Sequence, residues 1–323
     1  MATKTLKELV GIDSSAEFDV GDSELEPNGG LMLADPHYVW RKDLVRDMVA
    51  FWLMGERCMM LTGPKGSGKT TLPEQWHAKL RHPLWSIDGH KGVTFDDLFG
   101  QYLPNKQGGL DWHDGPIVRA ARIGGSVLIN EVNAIDPRVS IGLNGVAQNG
   151  SVVTIPQTGE AIIPAPGFRI FLTANPAGTI YAGRQEMDSS TRERPYHVWV
   201  PFMPEADEIE HVSDRLMHAG LSDRVEAKNL AKKMVEVAKA VRATSLEVSG
   251  RADAIPETLS TRVLAKWARY WVALQNHPGA VHRGLERALT TSCSQPVRDA
   301  IHAYVTTEFG VAVNPAAPVP VAA

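Results

Sequence analysis

Residues Gly63-Pro64-Lys65-Gly66-Ser67-Gly68-Lys69-Thr70 place two glycines, a lysine and a hydroxyl side chain at the spacing G-x-x-x-x-G-K-[ST], with a third glycine between. The chemistry this suits is phosphate binding. Glycines let the backbone curl until successive N–H groups point inward at phosphate oxygens. Lys69 then reaches the β- and γ-phosphates of a nucleotide, and the Thr70 hydroxyl becomes a ligand for Mg²⁺. Thr71 follows, opening a helix whose positive end favours the same anion. With average composition, the four fixed positions match about once in 100 chains of this length. An apolar strand pattern at 58–62 and a helical pattern at 71–80 flank the loop, as the motif requires. Pro73 falls in the first turns of that helix and removes a backbone donor, which predicts a bend or an early 3₁₀ turn.

Two apolar stretches end in polar residues. Ser126-Val127-Leu128-Ile129 runs into Asn130-Glu131, and Phe168-Arg169-Ile170-Phe171-Leu172-Thr173-Ala174 runs into Asn175-Pro176. Ligands of open parallel sheets sit at the carboxyl ends of strands. Glu131 is therefore a candidate base for an attacking water; capping the strand end or pairing an arginine is the plainer role. Asn130 stands where many P-loop ATPases carry Asp. It can hydrogen-bond a metal-bound water but brings no negative charge. Asn175 suits a γ-phosphate or lytic-water contact, although Asn-Pro is also a common turn start. Arg192 and Arg194, in Thr191-Arg192-Glu193-Arg194-Pro195, are either solvated surface or an arginine finger for a neighbouring subunit. Arg262, in Leu259-Ser260-Thr261-Arg262, opens a helix whose dipole disfavours a cation, which suggests a phosphate partner.

These residues need a scaffold. Strand patterns at 58–62, 84–88, 126–130, 168–174 and 198–202 alternate with helical segments. After Pro204 helical periodicity takes over, at 227–241, 258–275 and 296–309. The expected fold class is α/β: a P-loop NTPase αβα core with a parallel five-stranded sheet, then an all-helical lid. The expected domains are an acidic arm at 1–35, the core at 36–205, the lid at 206–310 and a Pro/Ala tail at 311–323. The arm is expected to be extended and to pack little core of its own, and the tail to be disordered.

Composition narrows the function classes. The chain has 323 residues, is 43% hydrophobic and 22% charged, and carries a formal charge of −4. Such values fit a globular protein and give no basic excess for a nucleic-acid coat or membrane surface. No apolar run is long enough to span a bilayer or serve as a signal peptide. With Cys58 and Cys293 as the only cysteines, a disulfide framework is out and a reducing cytoplasm is the expected location. The histidines show no H-E-x-x-H and no Cys/His pairing, so no protein-bound zinc site is expected. His90 reads as surface. Trp76, Trp267 and Trp271 read as helical core, whereas Trp112, in a Gly-rich loop, is a candidate to touch a partner or line a pore.

The order of these motifs resembles an AAA+ ATPase, and within that class the MoxR group. Ile87-Asp88-Gly89-His90, Asp114-Gly115-Pro116 and the stretch 168–175 are similar to the ATPase subunit of the cobaltochelatase type. The resemblance implies ATP and Mg²⁺ as cofactors, nucleotide bound between core and lid, and a homo-oligomeric, usually hexameric ring. It carries Lys69 and Thr70 to phosphate and metal, Glu131 to catalysis, Asn175 to sensor 1, Arg194 (less favoured, Arg192) to the finger and Arg262 to sensor 2. It also implies an insertion at 101–114 within helix 2 and a hairpin across Val152–Ile163, whose apolar flanks around Thr158-Gly159 fit a hairpin independently. The implied client is a protein with a von Willebrand A domain, remodelled or loaded with metal. Two other readings stand beside this hydrolase: a nucleotide-gated assembly module with slow hydrolysis, and a nucleic-acid motor, against which the acidic balance argues.

Overall fold

The computed structural model describes residues 2–21, 30, 32–176, 187–245 and 254–311. The chain divides into two units: Met1–Gly63 with Gly68–Val200, and Pro64–Ser67 with Pro201–Ala323. The second unit resumes at Pro201, where the sequence suggested a lid starting at residue 206.

The first unit opens with β1 (Ala2–Thr5), α1 (Leu6–Val10), β2 (Glu17–Val20) and α2 (Lys42–Leu53). Then come β3 (Cys58–Thr62), α3 (Thr71–Leu80), β4 (Leu84–Asp88) and α4 (Phe95–Phe99). A hairpin of β5 (Gly100–Pro104) and β6 (Leu110–Asp114) leads into α5 (Pro116–Ile123) and β7 (Ser126–Asn130). Short helices α6 (Pro137–Gly142) and α7 (Asn144–Ala147) precede a second hairpin, β8 (Val153–Thr154) with β9 (Ala161–Ile162). The unit closes with β10 (Arg169–Ala174), α8 (Ser189–Arg192) and β11 (Tyr196–Trp199).

Five strands form one sheet in the order β11-β3-β10-β7-β4, every pair parallel. The three inner strands are almost wholly buried, while β4 and β11 at the edges alternate. Inner strands of a parallel sheet are covered on both faces, which is why they read as unbroken apolar runs. Side chains of period two divide between the faces. Met60, Ile129 and Leu172 join one core with α5; Met59, Leu128 and Phe171 join another with α2 and α3. This confirms the α/β sheet. The last strand lies earlier than the expected 198–202. The Val200 N–H still donates to the Thr62 carbonyl at 2.7 Å, but Pro201 has no N–H with which to continue.

Two expectations differ from the structure. Residues 2–20 are not a free arm: β1 pairs antiparallel with β2, and Leu6, Leu9, Phe18 and Val20 are buried with Trp76. Phe18 meets Trp76 edge-on at 5.3 Å; four well-spaced apolar side chains outweigh the segment's polar average. The stretch 101–114 forms a hairpin set between two short helices, α4 and α5. Trp112 lies there against Tyr102 at 5.1 Å, with its indole N–H on Asp114 Oδ1 at 2.6 Å, so its polar edge is satisfied within the hairpin. Pro73 makes no 3₁₀ turn, because it falls in the first turn of α3, where backbone N–H groups have few intrahelical partners. The Val152–Ile163 hairpin is present, with Gly159 at φ 73° in its turn.

Among the described residues the helices of the second unit are α9 (Glu205–His218), α10 (Arg224–Thr244), α11 (Thr261–Leu274), α12 (Ala280–Ala288) and α13 (Gln295–Phe309). Met234, Val237 and Val241 are buried as the helical stripe requires, and Trp267 is fully enclosed with its indole N–H on the Val281 carbonyl at 2.8 Å. Within this core Arg242 grips Glu208 through two hydrogen bonds of 2.8 Å. Arg242 Nε also donates to the Leu259 carbonyl at 2.7 Å, and the Thr261 hydroxyl donates to Glu208 Oε1. The Ser260-Thr261-Arg262 corner is thereby tied to α9 and α10. The expected Pro/Ala tail lies outside the described residues from position 312. Among the described residues no helix is long and apolar enough to cross a membrane.

Candidate functional site

β3 ends at Thr62 and the chain turns through the glycine-rich loop into α3. Gly66 has φ 73° and Gly68 φ 100°, conformations that side chains with a Cβ rarely adopt. The turn closes through the Ser67 N–H on the Pro64 carbonyl at 3.3 Å, and the helix starts through the Leu72 N–H on the Gly68 carbonyl at 3.0 Å. Lys69 is buried, its ammonium donating to the Gly63 carbonyl at 2.8 Å. The ammonium thus spans the loop's own backbone, within a side chain's swing of any phosphate the loop holds. Lys65 is exposed at the loop tip, and Thr71 opens the helix.

The carboxyl ends of β4, β7 and β10 bring further polar groups together. The Thr70 hydroxyl donates to Asn130 Oδ1 at 2.8 Å. Asn130 Nδ2 donates to Asp88 Oδ1 at 3.0 Å and Ser86 Oγ at 3.1 Å. Asp88 lies directly opposite Asn130 in the β4–β7 register. Among the described residues, Glu131 is one of two non-glycine residues with positive φ, at φ 51° and ψ 46°. That left-handed backbone is held from both sides. The Glu131 N–H donates to Thr173 Oγ1 at 3.0 Å, and the Gly89 N–H donates to the Asn130 carbonyl at 2.7 Å. A Cβ on Gly89 would fall 2.5 Å from the Asn130 carbonyl oxygen and 2.6 Å from that of Glu131, so only glycine fits there. Strain of this kind concentrates where a side chain must be aimed.

Asn175 is buried and its Nδ2 lies 3.5 Å from Glu131 Oε1. Its carbonyl accepts from Asn133 Nδ2 at 3.0 Å, which couples the strand end to the turn after Glu131. The arrangement places a carboxylate, an amide and an ammonium-bearing loop at the same ends of adjacent strands. That is the set required to orient water and bind a triphosphate.

Arg192 ends α8 and Arg194 follows it. α8 is capped by Asp188, which accepts from the Ser190 N–H at 2.8 Å. Its carboxyl is held below the usual range, first by the Ser190 side chain and then by that backbone N–H. Thr191 and Pro195 are buried, which turns Arg192 and Arg194 outward. Arg194 donates to the Ser190 carbonyl. Arg262 is exposed on the first turn of α11.

The oxygen donors suit Mg²⁺. Thr70 Oγ1 and Asn130 Oδ1 are hard ligands beside the Asp88 and Glu131 carboxylates, and Mg²⁺ with a nucleotide takes few protein ligands. Among the described residues no group of three or more His, Cys, Asp or Glu is placed to hold a metal. The Cys58 thiol is buried and pushed up to about 12, mainly by loss of water and secondarily by Glu56, so it is no nucleophile.

Sequence reasoning missed Ser86, Asn133 and Thr173, and used Asp88 only as part of a resemblance. Ser86 and Asp88 carried a signal: two polar residues spaced by two on a strand point the same way. Thr173 and Asn133 carried little, since each gains its partner only across strands.

Residues 58–195 match the family described as AAA domain (dynein-related subfamily), and residues 221–307 match CbbQ/NirQ/NorQ C-terminal. Protein CbbQ of Hydrogenophilus thermoluteolus is 31% identical over 206 residues, 64% of this chain and 71% of that protein. The denitrification regulatory protein NirQ of Stutzerimonas stutzeri is 31% identical over 212 residues, 65% of this chain and 70% of the relative. Midasin of Dictyostelium discoideum is 32% identical over 154 residues, 48% of this chain but 3% of midasin, so the chain spans a small part of that relative.

Proposed function

The chain belongs to the CbbQ/NirQ/NorQ family of MoxR-type AAA+ proteins, and from that premise we propose that it is a ring-forming, Mg²⁺-dependent ATPase that remodels or activates a protein client. The observation that carries the reading is the Thr70–Asn130 hydrogen bond of 2.8 Å, which joins the phosphate loop to the strand end bearing Glu131. In this proposal the loop 63–71 cradles the phosphates and Lys69 neutralises their charge. Glu131 orients the lytic water and accepts its proton, while Asn175 holds Glu131 and the water in line. Mg²⁺, when bound beside Thr70 and Asn130, supplies charge neutralisation to the phosphates. Arg194, or Arg192, reaches a neighbouring subunit's nucleotide, and Arg262 serves as sensor 2.

The finer kinship with the cobaltochelatase ATPase subunit, the hexameric ring, the cytoplasmic location and a von Willebrand A client belong to the same proposal. The client being a protein is supported by the net charge of −4, which gives no footprint for a nucleic acid. One observation favours a second reading, the nucleotide-gated assembly module: Asn130 contributes no charge where hydrolysis benefits from one.

Phosphate release by the purified protein, alone and with candidate clients, separates the two. The expected result is Mg²⁺-dependent turnover that Glu131→Gln lowers by about 10²-fold or more while nucleotide still binds. If Glu131→Gln hydrolyses like the parent, the assignment of the base is wrong.

A further inference from the structure

We propose that Asp88, acting through Asn130, supplies the negative charge that the nucleotide-bound cation would otherwise take from residue 130. The inference rests on the Mg²⁺-nucleotide reading above and identifies a positioning residue within it.

Asn130 has one accepting and one donating end, and its surroundings decide which faces where. A carboxylate accepts hydrogen bonds. Asp88 Oδ1 at 3.0 Å therefore takes the amide NH₂, which Ser86 Oγ shares at 3.1 Å. The amide oxygen is left facing the Thr70 hydroxyl, 2.8 Å away. Asn130 thus presents to the Thr70 side the same oxygen that an aspartate would, with a carboxylate directly behind it. Hydrogen-bonding the NH₂ to a carboxylate draws electron density toward that oxygen. The charge has been moved one strand over rather than lost. Coulomb attraction falls only as the inverse of distance, so a carboxylate behind the amide still draws a cation toward Thr70.

The placement is rigid. Asp88 opposes Asn130 in strand register, and the next residue, Gly89, donates to the Asn130 carbonyl at 2.7 Å. Asp88 is exposed at the strand end, on the same end of the sheet as Thr70. A residue that merely capped β4 would have no reason to bond the side chain facing Thr70.

The test is the Mg²⁺ dependence of binding of a fluorescent, non-hydrolysable ATP analogue, measured with thermal melts on parent, Asp88→Asn, and Asp88→Asn with Asn130→Asp. The double variant puts the carboxylate back at 130. Asp88→Asn is expected to raise the Mg²⁺ midpoint by about tenfold, with binding in EDTA unchanged. The double variant is expected to return the midpoint to near that of the parent. Three results overturn the proposal while leaving the functional reading intact: an unshifted midpoint in Asp88→Asn, a lowered melting temperature without a shifted midpoint, or a double variant that fails to recover. A parent whose nucleotide affinity ignores Mg²⁺ overturns both.

Discussion

The backbone N–H of Glu131 donates to the hydroxyl of Thr173 at 3.0 Å, across the β7–β10 pair. That bond, with the one from Gly89 to the Asn130 carbonyl, holds Glu131 in its left-handed conformation. Thr173→Val keeps the shape and removes the acceptor, leaving the N–H without its partner. Unfolding in denaturant is expected to show a loss of about 1–3 kcal/mol, and phosphate release is expected to slow. Thr173→Ser retains the hydroxyl and should recover both. Equal turnover in Thr173→Val and parent would show that the Glu131 backbone needs no such support.

Arg194→Ala is expected to lower turnover by about 10³-fold or more without loss of nucleotide binding, the scale of an arginine finger. Arg192→Ala should have the smaller effect. Mixed assemblies of Arg194→Ala and Glu131→Gln protomers test whether the arginine acts on a neighbour. Phosphate release recovered on mixing is the expected result; demonstrably mixed assemblies with none would sink the finger assignment.

The Glu208–Arg242 pair is almost fully buried, with side-chain exposures of 1% and 9%. Removing one partner strands the other charge, which costs about 3–5 kcal/mol. Glu208→Gln and Arg242→Met should each show a loss of this size in denaturant melts. Glu208→Leu combined with Arg242→Met should recover most of it, because an apolar pair strands no charge. If each single substitution costs under about 1 kcal/mol, water reaches the pair and its burial is not what holds the Ser260–Arg262 corner.

His282 and His302 stack with centroids 5.0 Å apart and share a hydrogen bond of 2.7 Å between their Nδ1 atoms. The Val311 carbonyl takes His282 Nε2–H, so His282 Nδ1 accepts, His302 Nδ1 donates, and His302 Nε2 accepts from Thr290. All three bonds are made with one N–H on each ring. Burial, then the charge of His282, lowers the His302 pKa from 6.5 to about 4, with Arg298 acting the same way against Glu286 and Asp299. Between these values the unfolded chain binds more protons than the native one, so this contribution is complete above pH 6.5 and is lost as pH falls toward 4. The melting temperature is expected to fall over that window, and less steeply in His302→Gln. Equal slopes would remove His302 as the cause.

Much of this protein was legible as local pattern. The loop 63–70 needs no distant residue to be recognised, because glycine spacing and the lysine and threonine that follow are properties of one continuous stretch. Inner strands such as Ser126–Asn130 announced themselves by unbroken apolar runs, since burial on both faces leaves no polar alternation. Tertiary structure decided what depends on partners remote in sequence. Phe18 meets Trp76 only once the sheet has formed beneath both, so residues 2–20 looked like a polar arm. Asn130 read alone was a missing charge. Strand pairing sets it beside Asp88, 42 residues earlier in the chain, and no local rule states which two strand ends will be neighbours. The sequence by itself determined which chemistry the loop can do. Only the fold, by pairing β4 with β7, decided where the negative charge opposite that loop comes from.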